Sequence, residues 1–97
     1  MAKKMKLTLY HAKQCGHCIT FHPEWMKFEN AFKSKYPEKL EITNVESAQI
    51  GPEVTINGKQ LEGYPTVKVE FDGKEFEYRG KRTYEGLTDF IKQRLIL

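Results

Sequence analysis

The apolar positions of this chain change period several times, and each change marks the border of a predicted element. Met5, Leu7 and Leu9 alternate with Lys6, Thr8 and Tyr10, the period-two pattern of a strand with one apolar face, over about residues 4 to 10. A loop follows at His11 to Gln14. Beyond it Cys18, Phe21, Trp25, Phe28 and Phe32 recur at steps of three and four, while Lys27, Glu29, Asn30, Lys33 and Lys35 fall elsewhere. This predicts an amphipathic helix to about Tyr36, ended by Pro37 and bent at Pro23, which removes an amide one turn past Cys18. Leu40 to Val45 reads as a second strand with Leu40 and Ile42 inward and Glu41 and Thr43 outward. A helix of this length between two strands predicts a right-handed crossover and parallel pairing.

Residues 47 to 62 carry only short apolar pieces, because Gly51-Pro52 and Asn57-Gly58 interrupt any helix, so a loop or a small hairpin is expected there. Alternation returns from Thr66 to Phe71, Asp72-Gly73 is a strong hairpin signal, and Phe76 and Tyr78 continue the pattern. Gly80 ends that strand, Thr83 caps a final helix, and Tyr84, Leu87, Ile91 and Leu95 form its apolar stripe. The order is β-α-β followed by β-β-α. It predicts an α/β fold, a mixed four-stranded sheet flanked by helices, which buries every apolar stripe named above.

Composition narrows the function classes. The chain has 97 residues, 39% of them hydrophobic, enough for one core and too few for two, so residues 1 to 97 are expected to form a single domain. A net charge of +3, with Lys3, Lys4, Lys33, Lys35 and Lys39 interleaved with acids elsewhere, describes a solvated surface. No basic stripe coincides with an aromatic platform, so nucleic acid is not an expected partner. No stretch is long and apolar enough for a bilayer, and the basic start, Met1 to Lys6, leads into an alternating strand rather than a secretory apolar run. A cytoplasmic monomer without membrane contact is the expectation. Phe21, Trp25, Phe28, Phe32, Phe71, Phe76 and Phe90 read as core, and no cofactor is called for.

The two cysteines carry the candidate chemistry. Cys15-Gly16-His17-Cys18 sits where a strand ends and a helix begins. First-turn amides lack intrahelical partners, and the helix dipole adds about 1 kcal/mol, up to about 2, in favour of a negative charge there. For a thiol of ordinary pKa, about 8.5, that is a modest gain. His17 can add to it, because an imidazole beside the two sulfurs stabilises the dithiolate over the disulfide and makes the oxidised pair a better oxidant. Cys18 falls on the apolar stripe, so Cys15 is assigned as the exposed attacking sulfur and Cys18 as the shielded resolving one. Two cysteines do not make a structural disulfide framework, and a reactive pair in a reducing compartment fits them better.

With these residues in place, the chain resembles the thioredoxin superfamily, and most closely the catalytic domains of protein disulfide isomerases. The resemblance rests on four features in order across residues 5 to 95: Cys15-Gly16-His17-Cys18, Pro23 five residues past Cys18, Gly63-Tyr64-Pro65-Thr66 before a hairpin, and Tyr78-Arg79-Gly80-Lys81-Arg82-Thr83 before the last helix. It implies a dithiol-disulfide oxidoreductase acting on protein disulfide or dithiol substrates and recycled by a thiol reductant or an oxidase. It further implies a cis proline at Pro65 beside the disulfide, with Tyr64 contacting an extended substrate, and an Arg82 that swings toward Cys18 and helps it ionise.

Three departures from the family stand out. Leu9 occupies the position of a buried acid that shuttles protons for the second cysteine, so slower turnover is expected, with water, His17 or Arg82 compensating. Gln14 replaces the usual aromatic residue before the motif, making one wall of the site polar. The family's N-terminal strand and helix are missing and its second crossover helix is disrupted at residues 47 to 62, which brings the chain near a glutaredoxin in size. The Gly-Gly pair of glutathione-binding relatives is absent, with Gly80-Lys81-Arg82 in its place. Two rival readings stay open. Cys15, Cys18, His22 and His11 or His17 include soft ligands suited to zinc, although all lie within twelve consecutive residues where structural zinc usually staples separated segments. The other rival is a redox-inactive, thioredoxin-like interaction module.

Overall fold

The computed structural model describes residues 4–97; Lys3 of the basic start lies outside them. The element order is β1 (Met5–His11), α1 (Gly16–Phe32), β2 (Leu40–Glu46), a short 3-10 turn (Ser47–Gln49), β3 (Thr55–Ile56), β4 (Lys59–Gln60), β5 (Thr66–Phe71), β6 (Lys74–Glu77) and α2 (Tyr84–Lys92). The main sheet runs β2-β1-β5-β6. β1 pairs parallel with β2 and antiparallel with β5, and β5 pairs antiparallel with β6.

Register explains where the core lies. Leu7 stands opposite Ile42 and Val69, Leu9 opposite Val67, and Val69 opposite Phe76, so the alternating apolar residues of all four strands share one face. Both helices that flank the sheet lie on that face. Phe21, Trp25, Phe28 and Phe32 of α1 and Leu87 and Ile91 of α2 join Leu7, Leu9, Val67 and Val69 in one buried cluster. The helices are tied to each other where α2 begins. Thr83 caps it by accepting from the Gly86 amide at 3.0 Å, Glu24 of α1 accepts from the Tyr84 amide at 2.8 Å, and the Phe32 and Tyr84 rings stack with centroids 6.4 Å apart. A side chain at Gly86 would meet the Lys81 carbonyl, with its Cβ 2.5 Å from the oxygen, so the close approach of that loop to α2 requires glycine.

Three local differences from the sequence expectation have physical reasons. α1 ends at Phe32 rather than near Tyr36. Pro37 keeps Tyr36 out of helical geometry, and the chain tightens through a Lys35 amide to Phe32 carbonyl bond of 3.3 Å. Glu29, expected on the solvent side, is buried and satisfied there by Asn44 Nδ2 at 2.9 Å and Lys33 Nζ at 3.3 Å. Leu95 lies beyond the end of α2, yet one further turn, closed by its amide on the Ile91 carbonyl at 2.8 Å, keeps it in the core. Residues 47 to 62, expected as a loop or a small hairpin, form the 3-10 turn and the β3–β4 hairpin, whose two-residue tip Asn57-Gly58 has φ of 53° and 80°. Positive φ at both positions is what a tight hairpin turn of matching twist demands.

That small hairpin is held to the sheet by Glu75 on β6. Its carboxylate accepts from the Asn57 amide at 2.5 Å and pairs with Lys68 Nζ at 3.4 Å. The Asn57 amide first, and Lys68 after it, hold the Glu75 carboxyl below the ordinary carboxylate value of 4.5. A carboxyl whose folded pKa is lowered contributes stability that is complete above the ordinary value and lost as the pH falls through the lowered one. In a pH titration followed by NMR, the Asn57 amide resonance should therefore move with a midpoint below 4.5. The shift should vanish in Glu75→Gln.

Candidate active site at the β1–α1 junction

β1 ends at His11, and the chain turns through residues 12 to 14 before α1 begins at Gly16. Cys15 is the N-cap of α1, in extended geometry with φ −118° and ψ 110°, and its Sγ accepts from the Cys18 amide at 3.1 Å. Sulfur here stands where an N-cap oxygen usually does, facing an orphan first-turn donor. The two cysteines are joined as a disulfide with Cα atoms 5.1 Å apart. Cys15 is partly buried, whereas Cys18 is 8% exposed and packed among apolar side chains.

The other half of the site comes from the segment before β5. The Tyr64–Pro65 peptide is cis. The Tyr64 carbonyl oxygen stands 3.5 Å from Cys15 Sγ, a contact in the disulfide and an acceptor for the thiol once the pair is reduced. Two hydrogen bonds pin this segment. Thr66 Oγ1 donates to the Gly63 carbonyl at 2.6 Å, and Arg82 Nη2 donates to the Pro65 carbonyl at 3.4 Å. Arg82, read from the sequence as an aid to Cys18, is thus engaged with the Pro65 loop in this oxidised form.

Cys15, Cys18, Tyr64 and Pro65 come together, with Arg82 behind Pro65. Gln14, Gly16 and His17 do not join them as walls: all three are exposed on the rim, His17 on the first turn of α1. Leu9 faces Cys18 from β1 across a cleft of about 120 Å³, whose walls include His11, Ala12, His22 and Pro65. Two features of this rim escaped the sequence reading. Ile19, directly after Cys18, is 65% exposed, an apolar residue the helical period leaves off the buried stripe. His22 shares the cleft with Cys18, which their spacing of four residues on one helix already encodes. Among the described residues no three of His, Cys, Asp and Glu form a group that could hold a metal ion. Among them, too, no helix is long and apolar enough to cross a membrane.

A family model described as Thioredoxin matches residues 1–93. The chain belongs to the thioredoxin family. Among the relatives of this thioredoxin-family chain, protein disulfide-isomerase of Saccharomyces cerevisiae is 33% identical over 94 residues, covering 94% of this chain and 17% of the relative. Human protein disulfide-isomerase A4 is 30% identical over 91 residues, covering 94% of this chain and 14% of the relative. The chain thus spans under a fifth of the length of these relatives. In solved structures, the first thioredoxin domain of mouse protein disulfide-isomerase A4 superposes with a TM-score of 0.65 at 24% identity, over 93% of this chain and 62% of that one. The shared fold is the thioredoxin fold.

Exposure orders the reactivity of the pair. After reduction, iodoacetamide should alkylate Cys15 of the folded protein first and reach Cys18 only after a long delay, a sequence that mass spectrometry of timed digests reads directly. Equal labelling of both residues at all times would mean that Cys18 is not shielded as the fold implies.

Proposed function

We propose that this chain is a thiol-disulfide oxidoreductase that exchanges disulfides with protein substrates through Cys15 and Cys18. The observation that carries the proposal is the bonded cysteine pair at the N-terminus of α1, with the Cys18 amide aimed at Cys15 Sγ. In the reduced protein, that amide and the helix dipole favour the Cys15 thiolate, which attacks one sulfur of a substrate disulfide and displaces the other as a thiolate. Cys18 then attacks Cys15 Sγ in the mixed disulfide. The Cys15–Cys18 bond forms, the bond to the substrate breaks, and the substrate leaves with two electrons gained. Substrate oxidation is the reverse.

The segment 63 to 65 serves as the docking surface in this reading, with the Tyr64 backbone beside Cys15 and Pro65 against the cleft. Arg82 positions that segment through the Pro65 carbonyl, so its role is to hold the substrate-facing backbone. His17, exposed next to both sulfurs in sequence, is placed to interact with the pair when it is reduced and to favour the dithiol, while Gln14 and Gly16 leave the rim open to an incoming chain. The resemblance to protein disulfide isomerases supports protein clients and a recycling thiol reductant or oxidase, with the chain acting as a monomer.

The proposal is tested with insulin as substrate and with the two single variants. Cys15→Ser should abolish insulin reduction. Cys18→Ser should retain the first attack and accumulate a mixed disulfide visible on non-reducing gels. Full activity in both variants would overturn the mechanism.

A further inference from the structure

The exchange proposed above has a step that the site, as described so far, leaves without chemistry. Before Cys18 can resolve a mixed disulfide, its thiol must lose a proton. An ordinary thiol, of pKa about 8.5, is only a few per cent ionised at neutral pH, and burial among apolar groups makes the charged form less favourable still. Cys18 is 8% exposed. The residue facing it from β1 is Leu9, which accepts no proton, and the helix N-terminus serves Cys15 instead, whose sulfur takes the Cys18 amide.

The cleft beside Cys18 does contain bases. The titratable groups lining it are His11 at the end of β1, and Cys18 and His22 on α1; the Pro65 loop brings none to it. His22 lies four residues after Cys18 on α1. Residues at that spacing are neighbours on one helical face, with Cβ atoms about 5–6 Å apart. Helical side chains also tilt toward the N-terminus, so His22 leans back over the turn that carries Cys18. His22 is exposed, so a proton taken up by its ring can pass on to bulk water. His11, at the end of β1, is less exposed than His22.

We infer that His22 is the proton acceptor for Cys18 during resolution, in the place a strand-borne acid would otherwise serve. The Cys18 thiol passes its proton to the neutral imidazole of His22, and the thiolate so formed attacks Cys15 Sγ. The Cys15–substrate sulfur bond breaks, its electron pair departs with the substrate thiolate, and the imidazolium releases its proton to water. For the reverse reaction the same ring protonates Cys18 as it leaves. This rests on the exchange reaction proposed above.

The test is stopped-flow reaction of the reduced protein with 5,5′-dithiobis(2-nitrobenzoate), which releases one coloured thiolate when Cys15 attacks and a second when Cys18 resolves. In His22→Gln the first phase should keep its rate, and the second should slow by about 100-fold at pH 7, the usual scale of general acid-base catalysis. The loss should shrink as the pH rises beyond about 8.5, since hydroxide then removes the thiol proton without the ring. Added free imidazole should restore part of the second phase. A second phase in His22→Gln that matches wild type in rate and pH profile overturns the inference, as does a loss seen only in His11→Gln. Slowing that is equal at every pH and insensitive to imidazole also overturns it, since that is the mark of a structural effect. A wild-type protein that releases no second equivalent of coloured thiolate would instead remove the exchange reaction itself, and this inference with it.

Discussion

The Cys18 amide pointing at Cys15 Sγ is the contact on which the rest of the structure depends. It exists because β1 ends and α1 begins within a few residues, leaving first-turn amides with no helical acceptor and a sulfur as the nearest partner. The strand fixes the start of that turn, since β1 is an inner strand paired on both sides, with β2 and with β5. The helix is fixed by the aromatic run from Phe21 to Phe32 and by the capping contact from Glu24 to the start of α2. A core of this kind, set on one face of the sheet, holds the α1 N-terminus still enough for an amide to favour one charge state of a sulfur.

β5 then supplies the opposite wall. Because β5 pairs antiparallel with β1, the residues leading into it arrive at the end of the sheet where β1 delivers Cys15. Tyr64 and Pro65 therefore meet the cysteines through topology, Cys15 and Tyr64 being 49 positions apart in the chain. The hydrogen bonds of Thr66 and Arg82 hold this wall in place. Sheet register, helix origin and loop anchoring thus act on one point, and the asymmetry between an accessible Cys15 and a shielded Cys18 follows from it.

Much of this was legible in the chain itself. Alternation at Met5 to Tyr10 and at Thr66 to Phe71, the three-and-four spacing of the α1 aromatics, and Asp72-Gly73 each report a local rule that the tertiary structure keeps. The resemblance carried on Cys15 to Cys18, Pro65 and Arg82 pointed to the family to which the chain belongs. What escaped were features set by partners far away in sequence. Glu29 looks solvent-facing by helical period, but Asn44 on β2 supplies the donor that lets it be buried. The end of α1 depends on how Pro37 restricts Tyr36, and the anchoring of the expected small hairpin on a carboxylate from β6. Arg82 finds the Pro65 carbonyl only once the loop and the strand are brought together. His22 is an intermediate case: its spacing from Cys18 is local, but the cleft that gives the spacing meaning needs β1 and Pro65 as well.

The central claim is that the α1 N-terminus, with the Cys18 amide aimed at its sulfur, favours the Cys15 thiolate. The most direct measurement is the thiolate absorbance near 240 nm of the reduced Cys18→Ser variant, in which Cys15 is the remaining thiol, followed as the pH is raised. The account predicts that the absorbance develops with a midpoint about one pH unit below that of an ordinary thiol. An absorbance that develops only around pH 8.5, the range of an ordinary thiol, would contradict it.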